Sequence, residues 1–223
     1  MTTQPSHLPP WRHVLAVVAH PDDESFALGA VIAALADSGS RVDVVCLTRG
    51  EASSLGADHA DLAGTRAAEL RCAAALLGVN RVTLADFPDG GLRAVDPRLL
   101  DEAVAGAMAD GTPDLMLAFD PTAGVTGHLD HEATSRAAAR VARAHGLSVL
   151  GWAVPRAVAQ TLNGEFGTAF HGYDVRDLDL VLSVDRARQS EAIACHASQA
   201  VPGSVLWRRL ELLQDSEYLR WVS

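Results

Sequence analysis

The chain has 223 residues and a mass of 23.5 kDa, with 48% hydrophobic and only 5% aromatic residues, enough Ala, Val and Leu for one ordinary core and too much for extended disorder. Eighteen basic residues against 28 acidic ones leave a formal net charge of −10, which repels phosphate backbones and anionic lipid surfaces and excludes nucleic acid as an expected partner. No apolar run approaches the ~18–20 residues of a membrane span, and Met1–Pro10 lacks a basic n-region and an apolar h-region, so a cytoplasmic location is expected.

Met1–Pro10, polar and proline-rich, reads as a loose leader, and a single domain is expected over residues 11–223. From Trp11 onward, β-branched runs alternate with Ala/Leu-rich stretches at helical period. Strands are expected at Val14–Ala19, Arg41–Leu47, Arg81–Ala85 and Asp114–Phe119, and helices at Ala27–Asp37, Ala63–Leu77 and Pro97–Ala109. Gly39, Gly78 and Gly111 fall where these helices should stop. A helix follows from Asp130 to about His145, then a strand at Ser148–Val154, an irregular loop over Gln160–Asp177, a strand at Leu178–Val184, and helices at Asp185–Ser198 and Val205–Gln214. This alternation predicts an α/β fold, Rossmann-like, with a mainly parallel central sheet flanked by helices.

The cysteines at 46, 72 and 195 have no C-x-x-C spacing and are expected to be reduced packing residues. His7, His13, His59, His145 and His171 have no partner at ligand spacing and are expected to be structural or exposed. Trp207 and Trp221 are expected in the core or at a subunit contact.

In open parallel sheets ligands sit beyond the carboxyl ends of the strands. No glycine-rich nucleotide fingerprint and no G-x-S-x-G elbow occurs there. Instead the first strand runs into His20-Pro-Asp-Asp-Glu24, and the fourth leads through Phe119-Asp-Pro to His128-Leu-Asp-His131. His20/Asp23 and His128/His131 share a spacing of three, so each pair can converge, while adjacent Asp22 and Asp23 must point apart. One carboxylate can then bind a metal while its neighbour stays free as a base. Imidazoles and a carboxylate form the ligand set of a catalytic zinc site, and the two clusters are expected to share one ion.

Ala19-His-Pro-Asp-Asp-Glu24 with Gly127-His-Leu-Asp-His131 resembles the PIG-L/LmbE-like family of zinc-dependent N-acetylglucosaminyl deacetylases. Thr48-Arg-Gly-Glu51, Arg66-x-x-Glu69 and His196-Ala-Ser-Gln199 resemble further motifs of that family, so the likeness spans roughly residues 14–200. The resemblance implies that His20, Asp23 and His131 bind Zn2+, that Asp22 is the general base, that His128 is the electrophilic or acid partner, and that Asp130 orients His128. It makes Glu51, Arg66 and His196 candidate substrate contacts, whereas residue types alone read Arg66/Glu69 as a surface ion pair. Asp86 or Asp89, in a turn after the third strand, could also line the pocket. The implied activity is hydrolysis of an N-acetyl group on a small amino sugar or conjugate, by a protein that is often oligomeric; the same residues leave open a non-sugar amide as substrate, another divalent metal in place of zinc, and a metal-dependent binding module without turnover. Leu129 stands where Pro is common in the family. Thr126 stands where mycothiol-pathway members often carry Tyr, so any role of that phenol is lost or moved.

Overall fold

Strands that are apolar on both faces need helices on both faces, and that requirement organises the chain. The computed structural model describes residues 8, 10–55 and 59–222; most of the expected leader lies outside them. β1 (His13–Val18), β2 (Arg41–Thr48) and β4 (Leu115–Phe119) are buried at every position except the first residues of β1 and β2. With β3 (Arg81–Phe87), β5 (Ser148–Ala153), β6 (Leu180–Ser183) and β7 (Ser216–Val222) they form a seven-stranded sheet in the order β3-β2-β1-β4-β5-β7-β6. β1 to β5 are mutually parallel, and β7 runs antiparallel to both of its neighbours, β5 and β6.

Alternation along β1 divides the core. Val14, Ala16 and Val18 pack under α2 (Gly29–Asp37), α3 (Leu62–Leu77), α6 (Arg156–Phe166), α7 (Ala187–Cys195) and α8 (Val205–Leu213). Leu15, Val17 and Ala19 pack under α4 (Pro97–Gly106) and α5 (Leu129–His145). Because β1 lies between β2 and β4, the chain winds outward from it in both directions. The crevice at this switch point opens beyond the carboxyl ends of β1 and β4, the two strands that lead into the histidine clusters.

Several expectations need correction. The helix expected over Ala27–Asp37 begins earlier, as a short α1 (Asp23–Phe26) set off from α2. The first part of the supposed loop Gln160–Asp177 belongs to α6, which buries Val158, Ala159 and Leu162; it has no polar cap at Pro155 and carries Gly164, so its sequence signals are weak. β7 was not anticipated, because its alternation is carried by a buried acid. Glu217 accepts from Trp152 Nε1 at 2.8 Å and from Arg186 Nη1 at 2.6 Å, which stitches β7 to β5 and to the loop before α7. Trp207 and Trp221 are each 38% exposed, and Trp221 meets Trp11 edge to face.

The cysteines need correction too. Cys46 is buried and free, but Cys72 on α3 and Cys195 on α7 form a disulfide across 123 residues, with Cα atoms 6.0 Å apart. Spacing in the sequence could not reveal a pairing that depends on two helices packing side by side. Among the described residues no helix is long and apolar enough to cross a membrane. Thiol titration of the unfolded, unreduced protein is expected to find one reactive thiol per chain, Cys46, and all three cysteines only after reduction; three thiols before reduction would contradict the pairing.

Candidate functional site

Both clusters are set by unusual backbone at the end of a strand. Beyond β1, Asp22 caps α1 with φ 143°, a left-handed conformation that an aspartate adopts only under constraint. The strain lets consecutive carboxylates diverge. Asp23 folds back so that Oδ2 accepts from the backbone N–H groups of Ala19 (3.1 Å) and His20 (2.9 Å). Beyond β4, Gly124 sits at φ 53°, and a Cβ there would come within 2.5 Å of His131 Cβ. Glycine is what allows the loop to lie against the first turn of α5, where Thr126 Oγ1, 2.6 Å from His131 Nδ1, fixes the imidazole.

His20 Nδ1 lies 3.1 Å from His131 Nε2, His131 Nε2 lies 3.2 Å from Asp23 Oδ1, and His20 Nδ1 lies 3.6 Å from Asp23 Oδ2. Donors about 2.1 Å from a tetrahedral ion stand roughly 3.4 Å from one another, so these three groups fit a divalent cation of the zinc type. A ring nitrogen of His128 also comes within 4.8 Å of His20 and His131. On its far side, His20 Nε2 faces Asp89 Oδ1 at 3.1 Å and Asp130 Oδ2 at 3.5 Å, the carboxylate backing that orients a metal-binding imidazole. Burial opposes charge on His20, but Asp130, Asp23 and Asp89 together raise its pKa well above the usual value. Burial likewise opposes charge on Asp23, yet His131 and His20 hold its carboxyl well below the carboxylate range.

Asp22 Oδ2 accepts from Arg66 Nη2 at 3.0 Å, and among the described residues Oδ1 has no hydrogen-bond partner. Burial pushes the Asp22 carboxyl up to about 6 against the pull of Arg66. Arg66 is buried and makes no pair with Glu69. It also donates to the carbonyls of Gly50 (2.6 Å) and Pro21 (2.8 Å), where its guanidinium fills the space a Cβ on Gly50 would need. Glu69 instead accepts from Ser198 N and Oγ, tying α3 to the segment after α7.

The expected Asp130–His128 side-chain contact is replaced by another. Asp130 is fully buried and its carboxylate is taken by the N–H groups of Gly90 (2.7 Å) and Leu92 (3.0 Å) and by His20. It is the Asp130 backbone N–H that reaches His128, donating to Nδ1 at 3.2 Å. A neutral imidazole bonded this way carries its proton on Nε2. Burial, with His131 and His20 nearby, lowers the His128 pKa, which favours that neutral form.

The candidate substrate contacts are dispersed. Glu51 is exposed and accepts from the Asp89 N–H. His196 is fully buried behind the site, with Nε2 2.8 Å from Glu24 Oε1, and that carboxylate raises its pKa although burial works the other way. Asp86 pairs with Arg49 at the surface. The cleft over the three converging groups has a volume of about 660 Å³, and Arg66, Asp89, His128, Gln199 and Arg209 line it. Glu24, whose Oε2 accepts from the Asp22 N–H, had no role assigned from the sequence, although it stands in the first motif. Gln199 was legible only as the end of His196-Ala-Ser-Gln199; it, not His196, reaches the cleft, where it holds Ser53 Oγ and Leu55 O. Arg209 carried no sequence signal.

Residues 15–142 match the family model PIG-L, described as GlcNAc-PI de-N-acetylase. A protein of Bacillus cereus named as a probable N-acetyl-alpha-D-glucosaminyl L-malate deacetylase 2 is 31% identical over 134 residues, covering 58% of this chain and 60% of its own length. A Mycobacterium leprae 1D-myo-inositol 2-acetamido-2-deoxy-alpha-D-glucopyranoside deacetylase is 31% identical over 253 residues, covering 85% of this chain and 81% of the relative. The chain thus spans 60% of the length of the first of these relatives and most of the second. The zinc-inhibited form of teicoplanin deacetylase Orf2 superposes with a TM-score of 0.72 at 20% identity, over 95% of this chain and 98% of the other, and so shares the fold. With its two histidine clusters meeting at the sheet's switch point and both strands inside the matched region, the chain belongs to the PIG-L family.

Proposed function

We propose that this protein is a zinc-dependent N-deacylase that hydrolyses the acetamide of an N-acetylated amino sugar or its conjugate. One observation carries the reading: His20, Asp23 and His131 converge within 3.1–3.6 Å while the adjacent Asp22 stays outside the trio with one free carboxylate oxygen. Amide hydrolysis needs an activated water, a group to take its proton and a donor for the oxygen that gains charge.

What an ion bound by the trio supplies is Lewis acidity, which polarises a carbonyl and lowers the pKa of water towards neutrality. The chain supplies the rest. Asp22 Oδ1 is free to take the proton of the attacking water, while Arg66 holds Oδ2 and fixes the carboxylate plane. His128 sits at the exposed rim of the cleft and presents Nε2–H, held in that tautomer by the Asp130 N–H. It donates a hydrogen bond to the amide oxygen as charge develops there. The proton held by Asp22 then passes to the departing amine. Asp89 and Asp130 keep the His20 ring in its binding orientation.

The test is release of acetate and free amine from a panel of N-acetylglucosaminides and non-sugar acetamides. Hydrolysis of the sugars but not the simple amides is expected; no hydrolysis of any acetylated amine by metal-replete protein would contradict the proposal. Asp22→Asn is expected to keep full metal content while kcat falls by about 10²–10⁴. His131→Ala loses both metal, read by elemental analysis, and activity. His128→Ala keeps the metal and loses about 10²–10³ in kcat, the usual cost of one oxyanion donor. A wild-type rate in Asp22→Asn, or metal loss in His128→Ala, would overturn the respective role.

A further inference from the structure

Arg209 on α8 lines the same cleft as the metal-binding trio, yet none of the steps above uses it. It is 6% exposed. Its Cζ lies 5.0 Å from the centroid of the fully buried Trp152 ring, and Nη2 donates to the carbonyl of Phe26, the last residue of the short helix that Asp23 begins. Nε is buried without a partner, and Nη1 makes no hydrogen bond among the described residues.

A buried guanidinium normally faces a carboxylate, because an uncompensated charge in the interior is costly. Here each nearby acid already has another cationic or hydrogen-bonding partner. Glu217 is held by Arg186 and Trp152, Asp22 by Arg66, and Asp23 by His20 and His131. No ion pair to Arg209 occurs among the described residues. Burial lowers its pKa only to about 10, with Glu217 opposing the shift, so the cation persists at neutral pH. The cleft wall beside it is apolar, formed by Phe26, Phe170, Val205 and Leu206, and in such surroundings a charge-assisted hydrogen bond is stronger than in water.

We propose that Arg209 is a specificity-determining residue that receives an anionic group, carboxylate or phosphate, on the aglycone of the substrate, with the apolar wall against the rest of that aglycone. The proposal rests on the deacylase reading for the position of the sugar, but not for the binding of the anion. It makes the preferred substrate an acidic glycoconjugate rather than a neutral one.

The test measures binding of three deacetylated products to the metal-loaded protein by calorimetry: methyl glucosaminide, carboxymethyl glucosaminide and glucosamine 1-phosphate. At least one of the two anionic compounds is expected to bind about tenfold or more tightly than the neutral one, and which of them does identifies carboxylate or phosphate as the group recognised. In Arg209→Met that ratio falls below about threefold, and Arg209→Lys keeps part of it, since a lysine retains the charge without the fork. Metal content and unfolding midpoint are measured alongside, and the wild-type ratio needs no variant to be read. Equal affinities in the wild type, or an unchanged ratio in Arg209→Met, would overturn the proposal. Acetate release from the three N-acetylated compounds separates it from the deacylase reading. Arg209-dependent anion binding without any hydrolysis upholds the anion site and removes the deacylase, whereas hydrolysis with no anion preference does the reverse.

Discussion

Two imidazole nitrogens, His20 Nδ1 from the end of β1 and His131 Nε2 from the first turn of α5, face each other at 3.1 Å with the Asp23 carboxylate beside them. Two lone pairs cannot share that space unless a proton or a cation lies between them. The rest of the molecule is arranged to keep them there. The parallel sheet brings the ends of β1 and β4 side by side, Thr126 and the Asp89/Asp130 pair fix the two rings from behind, and Gly124 lets the β4 loop close against α5. A site that draws donors from both halves of the sheet exists only when β1 and β4 are paired.

Around this contact lies a layer of buried polar groups that bond to one another. Arg66 gathers Asp22 and the carbonyls of Pro21 and Gly50; Glu24 gathers His196, Ser25 and the Asp22 N–H. Such groups are expensive to bury and are retained where geometry must be held closely. They surround a residue with φ 143°, and holding an aspartate in that conformation costs about 1–3 kcal/mol, which the surrounding contacts must offset. In the proposed reaction Arg66 and Glu24 are positioning residues, acting through Asp22. Arg209 differs from Arg66, because among the described residues its guanidinium has no carboxylate partner.

Legibility in the sequence followed the range of the interactions. The His20–Glu24 and His128–His131 clusters could be read directly, since their spacing is local and both stand at the end of an apolar strand. The alternation of strands and helices likewise gave the parallel sheet. Where partners lie far apart in the chain, the sequence said little. Asp130 turns to His20 rather than to His128 because the backbone at Gly90 and Leu92 claims its carboxylate. The Cys72–Cys195 bond depends on α3 meeting α7, and β7 depends on Glu217 finding Trp152 and Arg186. Arg209 stands in an amphipathic helix like any surface arginine, and only the packing of α8 over Trp152 turns it inward.

The central claim is tested most directly by diffraction from metal-replete crystals at the absorption edge of the bound ion. An anomalous peak is expected about 2.0–2.2 Å from His20 Nδ1, His131 Nε2 and an Asp23 oxygen, with Asp22 outside the coordination shell. A peak on the opposite side of His20, between Asp89 and Asp130, or a shell that includes Asp22, would contradict the account.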